Sequence, residues 1–197
     1  VQTADNGSPR SKSNLRVVIP FFLLWIALLA AAYWYFLVKP QQWFDPSMQQ
    51  PPMLSEASEQ QQLRAILQRH FPQLQQGKAW FVRIKQQDCS CERFVELYHQ
   101  SFAAQADPAE MQVVVVDLSD QALTEAELKL LQTLIPATPS VVLFNSAAEV
   151  GYFGPYHQDG ICNAENSYLE PVLQALQQGQ SLSVLNTLVY GCFCHTR

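Results

Sequence analysis

Residues 17–38 read VVIPFFLLWIALLAAAYWYFLV and carry no charge. With a rise of about 1.5 Å per residue, such a run crosses a hydrocarbon core about 30 Å thick, so a membrane-spanning helix is expected here. Pro20 falls in the first turn, where a missing N–H costs little, and Tyr33, Trp34 and Tyr35 lie where amphipathic rings settle at an interface. Arg10, Lys12 and Arg16 precede the run, whereas after Lys39 the next basic residue is Arg64. That bias keeps residues 1–16 in the cytoplasm and sends the C-terminal part out, a single-pass protein with an exported domain. A cleaved signal peptide is the rival reading, since Ala30, Ala31 and Ala32 are small, but the apolar run continues past them. Both readings export the same domain. Asn6-Gly7-Ser8 matches a glycosylation acceptor by chance, because it falls on the inner side.

Residues 39–54 hold four of the twelve prolines and several glutamines, a composition that argues against helix and sheet and for a linker. The exported domain then runs over residues 55–197. Ser55 to His70 has Leu63, Ile66 and Leu67 at helical spacing and stops before Pro72. Trp80 to Ile84 has strand character, Phe94, Tyr98 and Phe102 mark a helix over 92–104, and Met111 to Leu118 is a strand rich in β-branched residues. Thr124 and Glu127 form a capping box ahead of Leu128, Leu131 and Ile135. Ser140 to Phe144 and Glu149 to Phe153 make a hairpin, and Ser167 with Glu170 reads as a second capping box. The tail, SLSVLNTLVYGCFCHTR, is apolar enough to pack on the domain. The order β-α-β-α-β-β-α, with an extra helix in front, gives an α/β fold: a mixed sheet flanked by helices on both faces.

Five cysteines in an exported domain are the strongest chemical signal, because thiols outside the cytoplasm tend to be oxidised. Cys89 and Cys91 stand between a strand and a helix. Backbone N–H groups at a helix start lower a thiol pKa, while the neighbouring Asp88 raises it. A bond between Cys89 and Cys91 would close a tight, easily reduced ring; bonds to distant partners would instead staple the loop. The residue types leave both open. Cys162, Cys192 and Cys194 are further disulfide candidates, the tail pair being a second redox couple, a resolving pair or a structural tie. Thr138-Pro139 opens the third strand, where a proline's missing donor is tolerated.

This combination resembles the thioredoxin-like superfamily over roughly residues 60–178. It is most similar to uncharacterised membrane-anchored bacterial members with a Cys-x-Cys motif, a Gly-Pro-Tyr turn and a C-terminal Gly-Cys-aromatic-Cys, here Cys89 to Cys91, Gly154-Pro155-Tyr156 and Gly191-Cys192-Phe193-Cys194. The resemblance implies that Cys89 and Cys91 hold the redox position, and that Pro139, with Thr138 before it, is a cis-proline facing the disulfide and presenting backbone to a substrate chain. The usual motif has two residues between its cysteines, and the single Ser90 departs from it.

With the resemblance, the expected function is thiol–disulfide exchange with thiols or disulfides of exported proteins, by a periplasmic domain anchored in a bacterial inner membrane. Alternatives are copper or zinc handling by the two Cys-x-Cys motifs, and a non-catalytic, disulfide-stapled adaptor. No cofactor is called for: there is no Gly-rich phosphate loop and no Ser-His-Asp set. With a net charge of -5 and scattered Lys and Arg, nucleic acid is not an expected partner. His99 lies two helical turns beyond Cys91, too far to share a metal directly, His195 abuts Cys194 and reads first as a solvated tail residue and second as a ligand, and His70 and His157 read as helix-face and loop residues.

Overall fold

The computed structural model describes residues 15–74, 77–157, 162–178, 180 and 182–196. The basic residues Arg10 and Lys12 and the Asn6-Gly7-Ser8 site lie outside them. The chain divides into two compact units, residues 1–39 and 40–197. In the first, α1 (Leu15–Tyr33) continues into a π-helical turn (Trp34–Val38), and Val18–Val38 is long and apolar enough to cross a membrane. Its side chains over residues 18–37 are exposed, which costs little only in an apolar surround.

The second unit begins with β1 (Gln41–Trp43) and α2 (Ala57–His70). Then come β2 (Ala79–Lys85), a 3₁₀ turn (Ser90–Phe94), α3 (Glu96–Gln105), β3 (Met111–Asp117) and α4 (Glu125–Leu134). β4 (Ala137–Thr138), β5 (Ser140–Phe144), β6 (Val150–Gly154) and α5 (Leu169–Gln177) follow, and the tail forms β7 (Val184–Leu185), β8 (Tyr190–Cys192) and β9 (Cys194–His195). Among the described residues this is a mixed α/β structure with five α-helices and a five-stranded mixed sheet in the order β3-β2-β5-β6-β7. β2 runs parallel to β3 and antiparallel to β5, and β5 and β6 form the expected hairpin, with Ala148 at φ 62° in its turn.

Alternation along β2 sends Trp80, Val82 and Ile84 to one face, where α2 and α4 supply Leu63, Ile66, Leu67, Leu131 and Leu134. Phe81 faces the other way, against Val95, Leu169, Val172 and Leu173 of the α3 and α5 side. The Thr124–Glu127 capping box forms as the sequence indicates. The second one does not: α5 has Tyr168 at its N-cap without a side-chain cap. Ser167 Oγ instead accepts from the Leu169 N–H at 3.1 Å, and Glu170 accepts from the Tyr98 hydroxyl at 2.8 Å. A tertiary partner thus takes the carboxylate that a capping box would need.

The largest departure concerns residues 40–54. They are part of the domain and not a linker outside it. β1 pairs antiparallel with β8, while Phe44, Asp45, Met53 and Leu54 are buried. Phe44 sits edge-on to Phe153 and Phe193 at 5.8 and 5.3 Å between ring centres. The prolines and glutamines mask two apolar pairs, Trp43-Phe44 and Met53-Leu54, which outweigh them once a surface exists for burial.

Candidate functional site: a cluster of four cysteines

The loop after β2 turns tightly, with the Cys89 N–H donating to the Gln86 carbonyl at 3.2 Å and the Glu92 N–H to the Cys89 carbonyl at 3.2 Å. Cys89 precedes the 3₁₀ turn and Cys91 lies within it, 1% exposed. The α-helix proper starts only at Glu96, so the full macrodipole expected at the cysteines begins beyond them.

The tail approaches this loop antiparallel, held by two backbone ladders. Cys192 is in register with Gln41 across β8 and β1, and Cys194 with Thr138 across β9 and β4. Phe193 enters the core, 3% exposed, while the cysteines on either side of it both reach the loop, as alternation along an extended chain dictates. Beyond them the Thr196 N–H donates to the Pro136 carbonyl at 3.1 Å. His195 is not directed at the sulfurs through Nε2, which stands 2.9 Å from the Trp43 carbonyl oxygen.

This antiparallel approach sets the pairing: Cys89 bonds Cys194 and Cys91 bonds Cys192, with Cα–Cα distances of 5.7 and 5.5 Å. Cys89 and Cys91 are therefore not bonded to each other. The sulfurs of Cys89, Cys91 and Cys194 nevertheless lie within 4.8 Å of one another. Cys89 Sγ stands 3.6 Å from the Thr138 carbonyl oxygen, a contact and not a hydrogen bond, since a disulfide sulfur carries no proton. The Thr138–Pro139 peptide is cis. The Thr138 and Ser140 hydroxyls are buried without a hydrogen-bond partner among the described residues.

Cys162 belongs elsewhere. It is free and buried with Tyr152 and Tyr156, and burial, aided by the charge of Glu170, pushes its thiol up to about 12. A thiol so protonated is a poor nucleophile.

Sequence reasoning missed the buried charge behind the loop. Arg83, on the α3 side of β2 and 2% exposed, reaches both Glu92 and Glu96 at 2.7 Å. Burial pushes the Glu92 carboxyl up against the pull of Arg83. Burial acts on Glu96 in the same sense, but hydrogen bonds from Arg83 and Gln100 outweigh it and hold that carboxyl low. Next to them His99 is brought down to about 4 by burial and by the Arg83 charge, and its Nδ1 stands in hydrogen-bond contact with the Tyr156 hydroxyl at 3.1 Å. The sole hint in the sequence is an arginine inside the apolar run WFVRI. Gly154 in the Gly-Pro-Tyr turn has φ 152°, and a Cβ there would come within 2.6 Å of the Asn186 carbonyl oxygen, which explains glycine at that position.

Fold and site together define a mixed α/β domain whose Cys-x-Cys loop is doubly bonded to a Cys-x-Cys tail. The chain belongs to the DUF6436 family, a domain of unknown function, which matches residues 59–196. No curated protein matches it. Solved structures similar to it include a hypothetical protein from Sinorhizobium meliloti, at 16% identity and TM-score 0.46, covering 61% of this chain and 79% of that one. An uncharacterised conserved protein from Geobacillus kaustophilus is similar at 14% identity and TM-score 0.46, covering 64% and 80%.

Proposed function

We propose that this is a membrane-anchored, thioredoxin-like thiol–disulfide exchange protein whose domain lies in the periplasm and acts on exported proteins. One observation carries the reading: sulfurs that are not bonded to each other lie within 4.8 Å, so the two disulfides are within reach of mutual exchange. The half-buried Cys194 is the more accessible end of its bond, Cys89 being 6% exposed. A thiolate of a client dithiol attacks Cys194 Sγ and releases the Cys89 thiolate. The client's second thiol then attacks the client sulfur of the mixed disulfide, so that the client leaves oxidised and Cys194 is freed. Two electrons now reside on Cys89 and Cys194. The Cys89 thiolate attacks Cys91 Sγ, forming the Cys89–Cys91 bond and releasing Cys192, which moves those electrons onto the tail pair. Run backwards, the same steps reduce a client disulfide: Cys192 attacks Cys91 Sγ and frees the Cys89 thiolate, the Cys194 thiolate attacks the client disulfide, and Cys89 then attacks Cys194 Sγ and releases the reduced client, with Pro139 beside the docking backbone. The bias of Arg16 and the preceding basic residues supports export of the domain.

The loop-to-tail pairing and the burial of Cys91 favour a second reading, a domain whose four cysteines are structural staples. Exchange assays on the full chain in detergent, using a reduced dithiol peptide as client, separate the two. Read under conditions where circular dichroism shows the variant folded, Cys89→Ser with Cys91→Ser abolishes client oxidation; an unchanged rate in that double variant defeats the exchange reading.

A further inference from the structure

We infer that, when both disulfides are reduced, Cys89, Cys91, Cys192 and Cys194 form a four-sulfur site for one zinc ion. The argument starts from what holds the sulfurs together when the covalent bonds open. Cys192 stays in the β8–β1 ladder opposite Gln41, and Cys194 in the β9–β4 ladder opposite Thr138. Between them Phe193 is anchored in the core beside Phe44, and beyond them the Thr196 hydroxyl donates to the Ile135 carbonyl at 2.5 Å. On the other side, the Cys89–Gln86 turn and the 3₁₀ helix fix the loop. None of these contacts passes through sulfur, so the four thiols remain gathered after reduction.

Their spacing suits the metal. Zn–S bonds of about 2.3 Å in a tetrahedron place neighbouring sulfurs about 3.8 Å apart. The sulfurs of Cys89, Cys91 and Cys194 already lie within 4.8 Å of one another, and Cys192 is held next to them by its bond to Cys91, so Cys192 makes the largest shift, by rotation of its side chain towards the other three. Burial of Cys89 and Cys91 closes one side of the cluster, and the half-exposed Cys192 and Cys194 leave the other open for entry. His195 Nε2 is turned to the Trp43 carbonyl, and Cys162 lies in the other core cluster, so the site is composed of sulfur alone, the donor set of a closed zinc site. Each disulfide takes two electrons and two protons from a dithiol, which leaves as its own disulfide. Zinc then displaces the four thiol protons, so binding is coupled to pH. The inference needs the same cysteines as the exchange reading but no client protein.

The test uses the full chain in detergent, reduced anaerobically with a phosphine, loaded with zinc chloride, desalted and analysed for metal by mass spectrometry. Cobalt(II) substitutes as a spectroscopic probe. One zinc per reduced chain is expected, with loss to background in the oxidised chain and in Cys192→Ala with Cys194→Ala, and full retention in Cys162→Ala. Circular dichroism of the reduced chain with and without zinc shows whether the metal is held by the folded domain. Reduced protein that retains no more zinc than oxidised protein overturns the inference, as does retention unaltered by the tail substitutions. Client oxidation measured on the same metal-free preparation keeps the two ideas apart: exchange without zinc binding refutes only the site, and zinc binding without exchange refutes only the enzyme.

Discussion

Replacing the cysteines of one disulfide by alanine tests the nested pairing through its energetics. Cys89–Cys194 and Cys91–Cys192 span 105 and 101 positions, the second inside the first. Closing a loop of about 100 residues stabilises the fold by about 4.7 kcal/mol at 25 °C through the unfolded chain's lost entropy. Once either bond exists, the other closes only a ring of about six residues, for which the same relation gives about 2.2 kcal/mol. Removing either pair alone should therefore cost about 2.2 kcal/mol, because the survivor still closes the long loop, and removing both about 7 kcal/mol. The excess over additivity, about 2.5 kcal/mol, is the signature of nesting. The assay is urea unfolding of the full chain in detergent, followed by near-ultraviolet circular dichroism, for the wild type, the two pairwise variants and the quadruple variant. Local bonds, Cys89 to Cys91 and Cys192 to Cys194, would close small separate rings and give small additive costs. Additive costs would refute the loop-to-tail pairing.

Three further outcomes are expected. Phe44→Ala should cost about 3–5 kcal/mol in the same unfolding assay, as loss of a buried aromatic side chain does; a change near zero would return residues 40–54 to the status of a linker. Arg83→Met should destabilise by about 3–5 kcal/mol by leaving the largely buried Glu92 carboxylate uncompensated, with partial recovery in Arg83→Met with Glu92→Gln; equal losses in both would show that the pairing is not the cause. His99, held at about 4 in the fold against about 6.5 unfolded, binds its proton more readily in the unfolded chain. Its contribution is complete above pH 6.5 and is lost as pH falls towards 4. Glu92, raised by burial, acts in the opposite sense. His99→Gln should therefore flatten the acid side of a stability-against-pH profile, and an unchanged slope would contradict the assignment.

Much of the fold was legible because it rests on local periodicity. Leu63, Ile66 and Leu67 recur at helical spacing, β2 and β3 are apolar runs flanked by turns, and Thr124 with Glu127 satisfies helix N–H groups within one turn. What escaped was set by tertiary partners. Trp43 and Phe44 carry no period of their own and fold only because the tail offers a strand and Phe193. Ser167 and Glu170 have the spacing of a cap, yet Tyr98 claims the carboxylate. The gathering of Cys89, Cys91, Cys192 and Cys194 was left open as one arrangement among several, since the antiparallel approach that decides their pairing depends on ladders between segments about 100 residues apart. Arg83 was hidden because a charge inside a strand shows its partners only in three dimensions.

The central claim, that the four cysteines act as one redox cluster, is tested most directly by acid-quenched alkylation and peptide mass spectrometry on the full chain from its native membrane, across a titration with dithiol and its disulfide. The account predicts that Cys89, Cys91, Cys192 and Cys194 pass between bonded and free states over a shared range, with Cys89–Cys91 bonds appearing part-way and Cys162 free throughout. Four cysteines that remain bonded across the whole titration while the domain stays native would contradict it and make the cluster a staple.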